Sequence, residues 1–252
     1  EHMEPQARIH YAVTDGGGCS PNVVQSKASV LYMVRSPQVK KAVELQKRVD
    51  DIAAGAALMT GTTCERKFID GVAETIPNHV LEALLHQNFA EVGVPQHTSQ
   101  EMTFAAELAA TYDAGGHIPG SGSENADYAA RVKTLLPGTA MNDVLLPLFT
   151  EEAFCPGSTD VGDVSWQCPT AQLHVASWPN GCPGHSWQNV SCGKTSIGHK
   201  AAITAGKVLC AAAIDLLKQP ELIAAAKTEF AGRTAESYPC PIPPEAVPTI
   251  PD

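Results

Sequence analysis

Apolar and polar residues alternate from Arg8 onward. In "ARIHYAVT", Ile9, Tyr11 and Val13 alternate with Arg8, His10 and Ala12, the two-residue period of a strand with one buried face. "DGGGCSPN" follows, three glycines and a proline, which predicts a loop with unusual backbone angles. "ASVLYMVR" reads as a second strand. Ser36 and Pro37 then form a helix start, Ser as N-cap and Pro at the first helical position. Val39, Ala42, Val43, Val49, Ile52, Ala53 and Ala56 continue a helical stripe to a C-cap at Gly61. "TCERKFI" returns to a strand, so residues 7 to about 70 are predicted as strand, strand, helix, strand, a small α+β layer.

Pro77-Asn78 marks a boundary. "HVLEALLHQNFAEVG" and Ser99 to Ala110 carry helical periods, whereas 113 to 127 is a long glycine and serine loop. "CPGSTDVGDVSW" is rich in turn residues, and "AQLHVASW" suits a buried strand. Ile197, Ala201, Ala205, Val208, Ala212 and Leu216 trace a long helix capped by Thr195 or Ser196, and the proline-rich tail from Pro239 is expected to run extended.

The 252 residues suffice for a sizeable core, and 44% hydrophobic against 17% charged residues is globular composition. A net charge of −10 without a basic run disfavours nucleic acid and anionic membranes as partners. No apolar run approaches the roughly 20 residues of a membrane span. Eight scattered cysteines in so long a chain, with no leading secretory signal, predict a cytoplasmic protein with reduced thiols. Asn189-Val190-Ser191 then matches the glycosylation pattern by chance. The chain enters a strand at Arg8 with nothing regular before it, so Glu1-His2-Met3 reads as a cloning remnant or as the tail of something longer.

Three stretches carry candidate chemistry. "GCPGHSWQNVSC" places His185 between Cys182 and Cys192. A closed zinc site wants four ligands, usually in two short pairs, and only one Cys-x-x-His pair is present. The other readings are a tight loop that presents His185 to a cleft, or an ordinary loop histidine. In "CPGSTDVGDVSW", Thr159 and Asp160 follow a glycine that permits close approach to a ligand, or the stretch is a polar turn. Asn22 closes the glycine loop and Arg35 ends the next strand, so a hairpin can bring an amide beside a guanidinium, a pairing that suits a carboxylate. Equally, Asn22 is a turn residue and Arg35 a surface charge. "GSGSE" at 120 to 124 matches a serine-hydrolase elbow only loosely and lacks the leading strand.

Taken in order, "HYAVTDGGGCSPNVV", "YMVRS", "GSTDVGDVSW" and "GHSWQNVSCGKTSIGHKAA" resemble the dinuclear metallo-amidohydrolases of the glutamate-carboxypeptidase and aminoacylase type, closest to the aminobenzoyl-glutamate utilisation branch. The resemblance covers nearly the whole chain. It implies an α/β fold: residues 1–76 as a partial α+β lid that dimerises, and 77–252 as the C-terminal part of the catalytic domain. By the same resemblance His185 matches the last metal-ligand histidine. Asn22 and Arg35 match the lid residues that hold the substrate carboxylate, Gly157, Ser158 and Thr159 the loop against the substrate, and His10 a histidine of the closest branch.

The implied reaction is cleavage of an N-acyl amino acid such as p-aminobenzoyl-glutamate. The intact enzyme would use two divalent ions, zinc or manganese, to activate a bridging water, and a glutamate general base. The resemblance places the other ligands and that base before Arg8. One imidazole cannot hold such a metal tightly, so this chain alone is expected to bind none stably and to be inactive. The implied partners are the N-acyl amino acid and a second copy docked through the lid. The alternative is a non-catalytic dimerisation or ligand-binding module.

Overall fold

The computed structural model describes residues 2–113, 126–136, 138, 140–150, 154, 155 and 157–246. Its elements are strands β1 (Arg8–Asp15) and β2 (Ser29–Arg35), then helices α1 (Val39–Thr60), α2 (His79–Val92), α3 (Ser99–Ala109) and α4 (Ala126–Leu135). A short helix α5 (Val161–Ser165) precedes α6 (Trp187–Gly193), α7 (Ser196–Lys218) and α8 (Pro220–Arg233). The chain divides into two compact units, one of Glu1–Ile76, Pro156–Gln167 and Glu236–Asp252, the other of Pro77–Cys155 and Cys168–Ala235. The long loop predicted at 113 to 127, with its "GSGSE", lies almost entirely outside the described residues, as does the end of the tail.

In the first unit β1 and β2 pair antiparallel, with Arg8 opposite Arg35, Ile9 opposite Val34 and Tyr11 opposite Tyr32. The predicted alternation therefore holds, and it puts Ile9, Tyr11 and Val13 on one face. That face is covered only near its start: Ile9 and Val34 are half-buried, whereas Tyr11 and Val13 are exposed. Helix α1 lies against β2 and buries Val39, Leu45 and Val49, while Val43 and Ile52 of the predicted stripe face solvent.

The start of α1 corrects the sequence reading. The N-cap is Gln38, not Ser36, and it makes no side-chain cap. Ser36 instead donates its hydroxyl to Glu4, and the Val39 N–H is accepted by Oε2 of Glu74 at 2.9 Å. A carboxylate from a distant segment satisfies an orphan donor and suits the positive helix end. Gly61 is the C-cap as predicted, at φ 66°. "TCERKFI" forms no strand: no ladder partner meets it among the described residues, and Arg66 turns to Asp50 at 3.0 Å.

The second unit is helical. Asn78 caps α2, accepting from Leu81 N–H at 3.1 Å and donating to the Ala226 carbonyl at 2.9 Å. Leu84, Leu85 and Phe89 of α2 pack on Val208 and Ala212 of α7, and Ala105, Met141 and Ile197 make a second cluster. The stripe predicted for α7 is the buried one.

"AQLHVASW" is not a strand either. Its two-residue period survives: Ala171, Leu173 and Val175 are half-buried against the core while Gln172 and His174 are exposed. A ladder needs a neighbour, and none lies beside it among the described residues. The fold is thus mixed helix and strand, with one two-stranded sheet among the described residues. No helix there is long and apolar enough to cross a membrane.

Candidate functional site

Arg35 ends β2, where its side chain reaches across the fold. Its Nη2 donates to the hydroxyl of Ser158 at 3.1 Å, a contact spanning 123 residues inside the first unit. The hairpin and the "GSTDVGDVSW" loop, separate in sequence, therefore meet at a guanidinium and a hydroxyl.

What holds that loop is an array of bonds to residues 73–76. Oδ1 of Asp163 accepts the Ala73 N–H at 3.2 Å and the Tyr238 hydroxyl at 2.5 Å. Burial, then the bond to Asp163, pushes the Tyr238 phenol pKa up, so it stays a protonated donor. Buried Ser165 accepts the Ile76 N–H at 2.8 Å and donates to the Gly162 carbonyl at 2.5 Å. Trp166 Nε1 donates to the Glu74 carbonyl at 3.1 Å. Thr159 lies just before α5, its hydroxyl accepting the Val161 N–H at 3.3 Å and its carbonyl the Gly162 N–H at 3.1 Å. Gly157 is exposed beside Ser158. Of the predicted loop residues Ser158 is the one directed at Arg35, and Thr159 shapes the turn.

Asn22 is an exposed turn residue whose Oδ1 accepts the Ser20 hydroxyl at 2.7 Å. It lies in the connecting loop at the other end of β2 from Arg35, about 20 Å of strand away, so the hairpin does not bring the predicted amide and guanidinium together. The loop before it is closed by Gly17 at φ 82°, where a Cβ would stand 2.1 Å from the Lys27 carbonyl oxygen. His10 is exposed on the hairpin, opposite Met33.

His185 belongs to the second unit and is exposed. It is the one described non-glycine residue with positive φ, at 56°. Ser186 follows as N-cap of α6, accepting the Asn189 N–H at 3.2 Å and donating to the Pro183 carbonyl at 2.6 Å. The loop is anchored at both ends. Asn180 bonds the Ala140 carbonyl at 2.7 Å and takes the Tyr112 hydroxyl at 3.0 Å, and Gln188 donates to Thr111 at 3.2 Å. These anchors hold His185 in a conformation an L-residue enters at a cost of about 1 kcal/mol. Glycine enters it freely but loses a similar entropy on folding, so H185G is expected to change stability by less than about 1 kcal/mol. The β-branched H185V is expected to cost about 2 kcal/mol. Urea unfolding of the two variants checks this, and equal midpoints would contradict it.

The zinc knot does not form. Cys182 and Cys192 are buried, desolvation raises both thiol pKa values, and no group of three or more metal-ligating side chains occurs among the described residues. All eight cysteines are free thiols. His185 by itself cannot hold a metal pair, which needs several protein ligands.

Sequence reasoning missed a second polar assembly. Oε2 of Glu101 accepts the Thr98 N–H at 2.6 Å and the Lys200 ammonium at 2.7 Å, while Oε1 accepts the Ser196 hydroxyl at 2.5 Å. Lys200, then Ser196 and the Thr98 N–H, hold the Glu101 carboxyl at a pKa of about 2. The signal was present: Thr98-Ser99-Gln100-Glu101 has capping-box spacing. The reach to α7, which immediately follows the His185 segment, has no such signal.

No family model matches the chain. It is 37% identical to a p-aminobenzoyl-glutamate hydrolase subunit of Escherichia coli (strain K12), over 99% of its own length and 53% of that relative's. It is 23% identical to the Xaa-Arg dipeptidase of Homo sapiens, over 91% of its own length and 41% of that relative's. The chain spans about half the length, or less, of these curated relatives.

Proposed function

We propose that the chain belongs to the amidohydrolase and peptidase family of these relatives and is the C-terminal portion of a metal-dependent amidohydrolase acting on an N-acyl amino acid such as p-aminobenzoyl-glutamate. The observation that carries this reading is the Arg35–Ser158 contact. A planar two-pronged donor beside a hydroxyl is chemistry that suits a substrate carboxylate, and this supports the reading. His10, opposite Met33 and two positions along β1 from Arg8, borders the clamp from the same hairpin, and Gly157 leaves backbone accessible beside it. His185 is the ligand this chain contributes to a zinc or manganese pair whose other ligands, and whose general base, come from elsewhere in the intact enzyme. On this reading the chain binds substrate without turning it over. A reducing compartment such as the cytoplasm suits its free thiols.

The test has two parts. N-acetyl-L-glutamine, titrated into the chain by calorimetry, is expected to bind about tenfold more weakly to R35K, because lysine cannot offer parallel donors. p-Aminobenzoate release from p-aminobenzoyl-glutamate, with zinc or manganese supplied, is expected only from a polypeptide that adds the half of the relative unmatched here. Indifference of binding to R35K, or turnover by the chain alone, would overturn the proposal.

A second reading, a dimerisation or ligand-binding module, is favoured by one observation. Tyr11, Val13, Leu31 and Met33 expose apolar side chains along the hairpin. A dimer by sedimentation with binding but no turnover in the longer polypeptide would select it.

A further inference from the structure

The register of the hairpin sets two arginines directly opposite each other. Arg8 is the cross-strand partner of Arg35, so the two side chains leave the same face with Cβ atoms about 5 Å apart. Like charges directly opposite one another destabilise a strand pair. The chain carries a net charge of −10, which makes a paired cationic position on one short hairpin unusual within it. Nearby acid does not cancel it: Glu4, four residues before Arg8, is taken by Lys41 at 2.8 Å and by the Ser36 hydroxyl. The bond to Lys41, more than that to Ser36, keeps the Glu4 carboxyl below its usual pKa.

Each arginine has its own anchor. Arg8 Nη1 donates to the carbonyls of Pro5 and Ala7, both at 2.6 Å, which leaves its Nε and Nη2 donors outside those bonds. Arg35 is anchored by Ser158 at 3.1 Å. On the same face, Met33 opposite His10 and Leu31 opposite Ala12 continue as an apolar floor. Two separately held guanidiniums beside apolar surface match two carboxylates joined by a short hydrocarbon chain.

We propose that Arg8 is a specificity-determining residue, which with Arg35 forms a paired guanidinium seat selecting substrates whose amino-acid portion carries a second, side-chain carboxylate. The proposal rests on the Arg35 clamp of the preceding section and adds to it the class of amino acid selected. Arg35 with Ser158 takes the carboxylate common to all N-acyl amino acids, and Arg8 takes the one that only acidic residues possess.

The experiment compares N-acetyl-L-glutamate with N-acetyl-L-glutamine, of nearly equal shape, titrated into the chain and its variants by calorimetry. The dicarboxylate is expected to bind about tenfold more tightly, the scale of one charge-assisted pair. R8Q is expected to abolish that preference while leaving glutamine-derivative binding unchanged, and R8K to keep part of it. R35Q is expected to weaken both ligands alike. Unchanged amide shifts along β2 in R8Q establish that the hairpin stays paired. A preference that persists in R8Q, or is absent from the unaltered chain, overturns the proposal. If R35Q leaves the glutamine derivative unaffected while R8Q removes the preference, the clamp reading fails and the Arg8 assignment stands.

Discussion

Replacement of Gly162 by alanine is expected to destabilise the first unit by about 3 kcal/mol, the upper part of the usual overpacking range. The reason is close approach, because a Cβ built there would lie 2.0 Å from the Ala73 carbonyl oxygen and 3.0 Å from its carbon. Both are backbone atoms and cannot swing aside. Either α5 or residues 73–76 must retreat, and every bond between them depends on that distance. Asp163 to Ala73 N–H, Ser165 to Ile76 N–H and Trp166 to the Glu74 carbonyl would lengthen together. Ser158 would then drift from Arg35, so N-acyl amino acid binding is expected to weaken along with stability. G184A is the matched control, since nothing lies within 4 Å of a Cβ there. Urea unfolding of both variants decides it. A midpoint for G162A within error of the control would show that the two segments are not packed as described.

The second large effect is at Glu101. E101Q is expected to cost about 3 kcal/mol, because Lys200 and Ser196 lose a shared carboxylate in a mostly buried setting. The same carboxylate makes the protein acid-labile by a calculable route. Its pKa drops from an ordinary 4.5 to about 2 on folding, so its contribution is complete above about pH 4.5 and is lost as pH falls towards 2. His97 adds an earlier step. Both its ring nitrogens are buried without a hydrogen-bond partner among the described residues, and Nδ1 stands 4.0 Å from Glu101 Oε2. Desolvation outweighs the pull of Glu101 and lowers the imidazole pKa from 6.5. The unfolded chain therefore takes up that proton first, and stability declines as pH falls below about 6.5. Unfolding free energy measured from pH 8 to 3 is expected to fall in two stages. H97Q is expected to remove the upper stage and E101Q to shrink the lower, to which Glu4 and Glu229, also held below the usual carboxylate range, contribute the rest. A flat profile between pH 7 and 5 in the unaltered chain would contradict the His97 assignment.

The pattern of residue types was sufficient wherever neighbours in sequence decide the outcome. The β1–β2 alternation, the C-cap at Gly61, the helices at 79–92 and 99–109 and the buried stripe of α7 follow from period and local chemistry. Motif order along the chain carried the resemblance to the amidohydrolases, and the similarity to the E. coli hydrolase subunit agrees with it. Tertiary structure decided everything that depends on a partner far along the chain. Ser36 lost the N-cap role because Glu4 and Glu74, 32 and 35 residues from the atoms they meet, are the better acceptors in place. "AQLHVASW" kept a strand's period without becoming one, since a ladder is a property of two segments. The pairing of Arg35 with Ser158, the close approach at Gly162 and the Glu101–Lys200 bond span 123, 89 and 99 residues respectively. Such contacts arise from how helices and loops stack, and no periodicity within either partner encodes them.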